Sequence, residues 1–355
     1  SGAFRDCSGL TSVTIPNSVT TIGSDAFRGC SGLTSVTIPS SVTWIGYDAF
    51  RDCSGLTSID VETANTHYTS VDGVLFNYSK NTLIQYPAGN PRASYSIPPS
   101  VTEIGDGAFS GCSGLTSVTI PNSVTKIGYG AFYNCSGLTS VTIPNSVTEI
   151  EDNAFSGCSS LTSVTIPNSV TEIGGAAFYN CSGLTSVTIP NSVTTIEEAA
   201  FENCSGLTSV AIGSSVTKIG DYAFFGCSGL TSVEIPNSVT TIGHHAFRDC
   251  SGLTSVEISN SVTEIGRKAF SGCSGLTSVT ISNSVTEIGD DAFLGCSGLT
   301  KTNYTGTIAD WCKIKFGSND SNPMEYSHNF YINDVEVKDL VIPEGVDTIG
   351  DDAFH

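Results

Sequence analysis

A mostly β solenoid, wound from coils of one repeating unit, is the fold class this sequence predicts, and three observations predict it. A 23-residue unit, Cys-Ser-Gly-Leu-Thr-Ser-Val-Thr-Ile-Pro-Asn-Ser-Val-Thr-x-Ile-Gly-x-x-Ala-Phe-x-x, recurs along the 355-residue chain. Cys7, Cys30 and Cys53 mark one block, and Cys112, Cys135, Cys158, Cys181, Cys204, Cys227, Cys250, Cys273 and Cys296 mark a second in the same register. Each unit carries apolar residues at its fourth, seventh, ninth, thirteenth, sixteenth and twenty-first places, as in Leu115, Val118, Ile120, Val124, Ile127 and Phe132. That spacing fits neither one long helix nor a simple alternating strand. The composition, 39% hydrophobic and only 14% charged, is too apolar for a disordered chain, so a buried core is expected.

Taken in order, the segment Leu115 to Ile120 is β-prone, and Pro121 ends it by fixing φ and removing a backbone donor. Asn122 and Ser123 supply a turn, and Val124 to Ile127 makes a second short extended piece. After Gly128 the x-x-Ala-Phe stretch reads as one tight helical or 3₁₀ turn leading back to the next Cys. One unit is therefore one coil. A single coil buries too little apolar surface to offset the ordering of its backbone, so stability has to come from stacking neighbours and pairing their strands into a parallel sheet. The whole of 1–355 is expected to be a single solenoid, with the parallel sheet on one face and short turns or 3₁₀ segments on the other.

The unit resembles the BspA-like type of leucine-rich repeat, whose pattern Leu-x-x-Val-x-Ile-Pro-x-x-Val-x-x-Ile-Gly-x-x-Ala-Phe-x-x-Cys matches here residue by residue over nearly the whole chain. The resemblance implies a curved leucine-rich repeat solenoid on a secreted or surface protein of a bacterium or protist, often with an adhesive role toward host or neighbouring cells.

The period breaks twice. Between Cys53 and Cys112 lie 59 residues, 13 more than two repeats, and the surplus falls in 62–88. There Asp72 to Asn77 and Thr82 to Pro87 flank Tyr78-Ser79-Lys80-Asn81, which reads as a β-hairpin with a four-residue loop. The second insert, 301–333, holds Trp311 and Cys312 and gives way to the pattern again at Leu340-Val341-Ile342-Pro343. Both inserts are rich in aromatic residues, Tyr68, Tyr78 and Tyr86 in the first and Tyr304, Trp311, Tyr326 and Tyr331 in the second. The chain starts and stops in mid-repeat, at Ser1 to Asp6 and at Phe354-His355, with no polar capping unit at either end, so it reads as a piece of a longer array.

The 13 cysteines lack a zinc-like C-x-x-C spacing. Equivalent places on adjacent coils lie about 5 Å apart, close enough for disulfides, but side chains there point the same way. A column of buried free thiols, Cys112, Cys135, Cys158, Cys181, Cys204, Cys227, Cys250 and Cys273 among them, is the economical reading. Cys312 lies off the column and is the best candidate for a reactive thiol, the alternative being a core position in its insert. Of the histidines His67, His244, His245, His328 and His355, the pair His244-His245 occupies the two variable places before Ala-Phe, which reads as solvated surface. Acidic pairs such as Glu197-Glu198, Asp290-Asp291 and Asp351-Asp352 lie on the same variable turn and read as solvated charge. No G-x-S-x-G elbow or phosphate loop occurs, so catalytic residues, metal ligands and cofactors are all expected to be none, and the chain is not expected to be an enzyme. Sequons at Asn77, Asn303 and Asn319 matter only in a source that glycosylates them.

The sheet face carries more. With the fourth, seventh and ninth places pointing inward, the sixth and eighth point out and form a double file of hydroxyls, Ser117, Thr119, Ser140, Thr142, Ser163 and Thr165. Ala211, Glu234 and Glu257 break the Thr file. Such a face can bind a glycan or peptide edge, match a lattice such as ice, or serve only as soluble β-prone filler. Trp44 and Tyr47 share one coil, either as an aromatic contact patch or packed on the neighbouring insert. The candidate ligand-binding residues are therefore these hydroxyls with Glu234, Glu257, Trp44, Tyr47, Tyr78, Trp311 and Tyr326. The net charge of −20 argues against nucleic acid as a partner, and no apolar run approaches the roughly 20 residues that span a bilayer, so any membrane contact would come from regions outside this chain. The expected function is a monomeric extracellular or cell-surface module that binds protein or glycan; the alternative is a structural spacer holding another domain away from the cell.

Overall fold

A computed structural model describes residues 1–354 and shows a parallel β-solenoid, mostly β with few helices, in which each repeat makes one coil. The chain divides into two compact units, Ser1–Val170 and Thr171–His355. His355 lies outside the described residues.

In the first unit the strands Ser94–Ser96, Ser117–Thr119, Ser140–Thr142 and Ser163–Thr165 lie parallel and in register, with Val118 beside Tyr95 and Val141. The two-residue strands Glu103–Ile104, Lys126–Ile127 and Glu149–Ile150 pair in the same way after the Pro-Asn-Ser turn. The second unit repeats both sets. Ser186–Thr188, Ser209–Ala211, Ser232–Glu234 and Ser255–Glu257 make its first sheet, and Thr195–Ile196, Lys218–Ile219 and Thr241–Ile242 belong to its second.

Of the short turns or 3₁₀ segments read from the sequence, the return stretch forms turns. Its nineteenth and twenty-third places adopt left-handed φ, as at Gly130 (54°) and Asn134 (55°), and both donate N–H groups along the axis, Gly130 to Asp152 O at 3.0 Å and Asn134 to Ser156 O at 2.7 Å. Phe132 N between them reaches Ala154 O at 2.7 Å, so the turn adds a third backbone ladder between coils. Left-handed φ is cheap only for Gly, Asn and Asp. That is why the twenty-third place holds only those three, from Asp6 and Gly29 to Gly272 and Gly295. The nineteenth place is less disciplined, with Ala176, Ala199, Tyr222 and Lys268 all at positive φ.

All six apolar places of the unit are buried, and the phenylalanines stack as near-parallel discs. Phe109 and Phe132 are 4.8 Å apart, Phe201 and Phe224 5.5 Å, and Phe270 and Phe293 5.4 Å. Along the column the thiols donate to the carbonyl of the Phe 26 residues back, Cys135 to Phe109 O at 3.0 Å and Cys227 to Phe201 O at 3.2 Å. All the cysteines are free. Burial pushes the thiols of Cys53 and Cys204 up to about 12. One expectation changes: Cys7 is exposed although it belongs to the ladder. Cys312 is buried, which is the core position in its insert that stood beside the reactive thiol in the sequence reading.

The inserts depart from the sequence reading. Within 62–88 the strands Val74–Asn77 and Thr82–Gln85 run antiparallel about the Tyr78–Asn81 loop, but Tyr68–Val71 also pairs with Val74–Asn77, making three strands where a hairpin of two was expected. Asp72-Gly73, with φ of 52° and 80°, forms the extra turn, a signal the sequence carried as Asp-Gly. Residues 301–333 are an enlarged coil. Lys301–Tyr304 extends the first sheet beside Ser278–Ile281, Lys315–Phe316 extends the second beside Glu287–Ile288, and the short helix Ile308–Trp311 replaces the Pro-Asn-Ser turn.

Two outcomes follow for measurement. Titration with a thiol reagent should find one reactive thiol in the native chain, Cys7, and the other 12 only on unfolding; several native thiols would contradict the closed column. Ala199→Gly, which relieves a left-handed alanine, should raise stability by about 0.5–1 kcal/mol in urea unfolding, whereas the same change at buried Ala200 should lower it.

Candidate recognition face and grooves

Hydroxyls are abundant in every coil, but the fold uses them in two ways. At the fifth and fourteenth places threonine hydroxyls donate to the equivalent carbonyl one coil back, Thr139 to Thr116 O at 3.1 Å and Thr240 to Thr217 O at 3.2 Å. The serine at the twelfth place does likewise, Ser169 to Val147 O at 2.6 Å. These hydroxyls are structural. At the sixth and eighth places Ser117, Thr119, Ser140, Thr142, Ser163 and Thr165 are exposed and make no side-chain hydrogen bond among the described residues. Alternation along the strand sends them outward while Val118, Val141 and Val164 go inward.

Beside this file runs a trough, where the chain bends away at Ile-Pro-Asn. In the first unit it is lined by Thr142, Thr165, Pro144, Pro167, Asn145 and Asn168 and encloses about 420 Å³. In the second unit Glu234 and Glu257 replace the threonines, and the trough encloses about 440 Å³ with Ser232, Ser255, Asn237 and Asn260 around them. Glu234 and Glu257 lie directly side by side in the parallel register. Like charges so placed repel by a few tenths of a kcal/mol, and no basic side chain pairs with either among the described residues.

The aromatic candidates scatter. Tyr47 is 72% exposed, and Trp44 and Tyr78 also face solvent. Trp311 is a correction: it is fully buried, with Tyr304, Phe316 and Phe330 around it and its Nε1 donating to Ala353 O at 2.6 Å. A flat ring too large for a repeat site fills the enlarged coil. Tyr326 is half-buried, its hydroxyl donating to Asp320 Oδ1 at 2.6 Å and accepting from Gly295 N at 3.0 Å. In the first unit the hydroxyl file lies on the sheet face, in the second Glu234 and Glu257 lie side by side on a strand pair, and the aromatic candidates lie off these strands.

The histidine pair divides. Both were expected to be solvated; His244 is exposed, its Nδ1 accepting the Arg267 N–H at 2.9 Å, whereas His245 is buried, its ring stacked on Tyr222 with centroids 4.6 Å apart. Tyr222 and His245 hold the same place on successive coils, and stacking at that place was invisible in one repeat read alone. Asn303 is likewise buried at 3% exposure, out of reach of glycosylation. Among the described residues no three His, Cys, Asp or Glu side chains gather where a metal ion would fit, and no helix is long and apolar enough to cross a membrane.

Parallel coils with in-register strands, stacked phenylalanines and an open sheet face define a leucine-rich repeat solenoid. The family model described as BspA type leucine rich repeat region (6 copies) matches residues 1–91, 91–208 and 194–322, and the chain belongs to that family. Among solved structures, a leucine-rich repeat protein from Bacteroides ovatus ATCC 8483 is 29% identical, with a TM-score of 0.58 over 90% of this chain and 91% of its own. One from Eubacterium ventriosum ATCC 27560 is 26% identical, with a TM-score of 0.54 over 76% of this chain and 78% of its own. A leucine rich cell surface protein from Faecalibacterium prausnitzii A2-165 is 29% identical over 87% of this chain and 91% of its own, with a TM-score of 0.47. No curated protein matches the chain.

Burial, then the charges of Arg248, Lys268, Arg267 and His244, hold His245 below its ordinary range. The unfolded chain protonates this ring near the ordinary value of about 6.5. As pH falls through that value the unfolded state gains a proton that the folded state resists, so stability drops and levels off below the folded pKa. The urea midpoint should therefore fall between pH 7.5 and 5.5, and His245→Asn, which tolerates left-handed φ, should flatten that fall; an unchanged slope would contradict the burial.

Proposed function

We propose that this chain is a non-enzymatic recognition module of a secreted or cell-surface protein, and that it binds an extracellular protein or glycan through its open sheet face. The observation that carries this reading is the file of exposed hydroxyls at the sixth and eighth places, which serve no hydrogen bond of the fold while the other hydroxyl files do. A hydroxyl needed only for solubility could be any polar residue; a regular rank of unpaired donors and acceptors beside a trough suits a ligand that lies along the strands' edge-on ladder. Leucine-rich repeat solenoids use surfaces of this kind for binding, and the BspA type membership supports a surface setting.

Within that face the bet falls on Glu234 and Glu257, whose side-by-side carboxylates depart from the hydroxyl rule at an electrostatic cost. Against a panel of immobilised matrix proteins, glycans and microbial surfaces, the chain should bind at least one saturably. The double variant Glu234→Lys/Glu257→Lys should weaken that binding by about tenfold, on the order of 1.4 kcal/mol. No saturable binding anywhere on the panel, or equal binding by the variant, would remove the reading or the assignment of these two residues respectively.

A further inference from the structure

In the first unit one coil is short by two residues. Ile45 and Phe50 are five residues apart, as are Ile104 and Phe109, but in the coil between them Leu83 takes the isoleucine place and Tyr86 the phenylalanine place, only three apart. The equivalence is structural: Leu83 lies beside Ile104 in the sheet, Tyr86 N donates to Ala108 O at 2.7 Å, and the Tyr86 ring stacks on Phe109 at 5.2 Å. The Gly-x-x-Ala return turn is therefore missing from this coil. Its absence opens a groove of about 300 Å³ between the turn at Gly46–Asp48 and the turn at Gly105–Asp106.

The lining mixes both polarities. Gln85 is only 5% exposed; its Nε2 donates to Tyr86 O and Ala108 O, which fixes the amide's orientation, and its Oε1 accepts no hydrogen bond among the described residues. Tyr68 accepts the Ile45 N–H at 2.9 Å and keeps its own proton to donate, the more firmly because burial pushes the phenol up. Asp106 accepts Tyr129 N through Oδ1 and keeps Oδ2, while Lys126 adds a cation held by Glu151 at 2.7 Å. Ile45 and Ile84 give an apolar stretch, and the exposed Tyr47 ring stands at the lip.

We propose that this groove is a binding site for a neutral sugar ring. An anionic ligand would meet Asp48, Glu103 and Asp106. An ammonium or guanidinium group offers no acceptor to Tyr68 and faces Lys126. A pyranose both donates and accepts, so it satisfies Gln85, Tyr68 and Asp106 together, and its C–H face covers Ile45, Ile84 and the Tyr47 ring. A volume near 300 Å³ lies at the small end of ligand sites, suited to one terminal sugar of a glycan rather than a long chain. The site is separate from the sheet face, and each stands or falls by itself.

Saturation-transfer NMR on the full chain, with the methyl glycosides of glucose, galactose, mannose and N-acetylglucosamine as probes, tests it. At least one glycoside should show saturable transfer, and Tyr47→Ala and Asp106→Asn should each weaken it at least tenfold. Both residues lie outside the core, so the variants should keep the wild-type melting curve, and Glu234→Lys/Glu257→Lys should bind the sugar as the wild type does. No transfer from any of the four, retention of binding by both groove variants, or saturable binding of methylguanidinium in place of sugars would overturn the assignment.

Discussion

Within each unit the regular coils hydrogen-bond to their neighbours through the backbone in three places, the two strands and the return turn, and this works only while successive coils stay in register. The third ladder is the demanding one. It depends on N–H groups from left-handed residues, such as Gly130 and Asn134, pointing along the axis. A regular coil keeps all three ladders only at its 23-residue length, so the period is held by the backbone and the side chains inherit it. The phenylalanine discs, the thiols donating to phenylalanine carbonyls and the threonine hydroxyls donating to threonine carbonyls are consequences of that stacking.

The same constraint explains where variation is allowed. Positions that face a neighbour's backbone repeat almost without change, and substitutions collect at positions that face solvent, such as the glutamates at 234 and 257 and the tyrosine at 47. Departures in coil length are tolerated only where the chain keeps two sheets in register and alters the rest. The coil of Leu83 and Tyr86 loses its return turn yet pairs with Glu103–Ile104, and the enlarged coil after Leu299 swaps a turn for the helix Ile308–Trp311 yet keeps both strands. Irregularity in this protein is therefore confined to turns, and turns are where grooves and large side chains appear.

Much of the architecture was readable in one dimension. The apolar places of the unit, the outward hydroxyls, the buried thiol column and the leucine-rich repeat class all follow from a pattern repeated too often to be chance, because a periodic sequence reports each environment many times over. The candidate sites were less legible. Trp311 and Tyr47 look alike as aromatic residues outside the usual pattern, but one fills a core and the other stands in solvent. Nothing local separates them, since burial depends on how much space the enlarged coil encloses.

The sequence by itself determined the coil, its period and its inward and outward faces, because these depend on spacing along the chain. Only the tertiary structure decided which hydroxyls are spent on the fold and which are free, that His245 stacks on Tyr222, and that a missing turn leaves a groove. These features arise between residues of different coils, 23 or more positions apart, where the outcome depends on distance and direction in space.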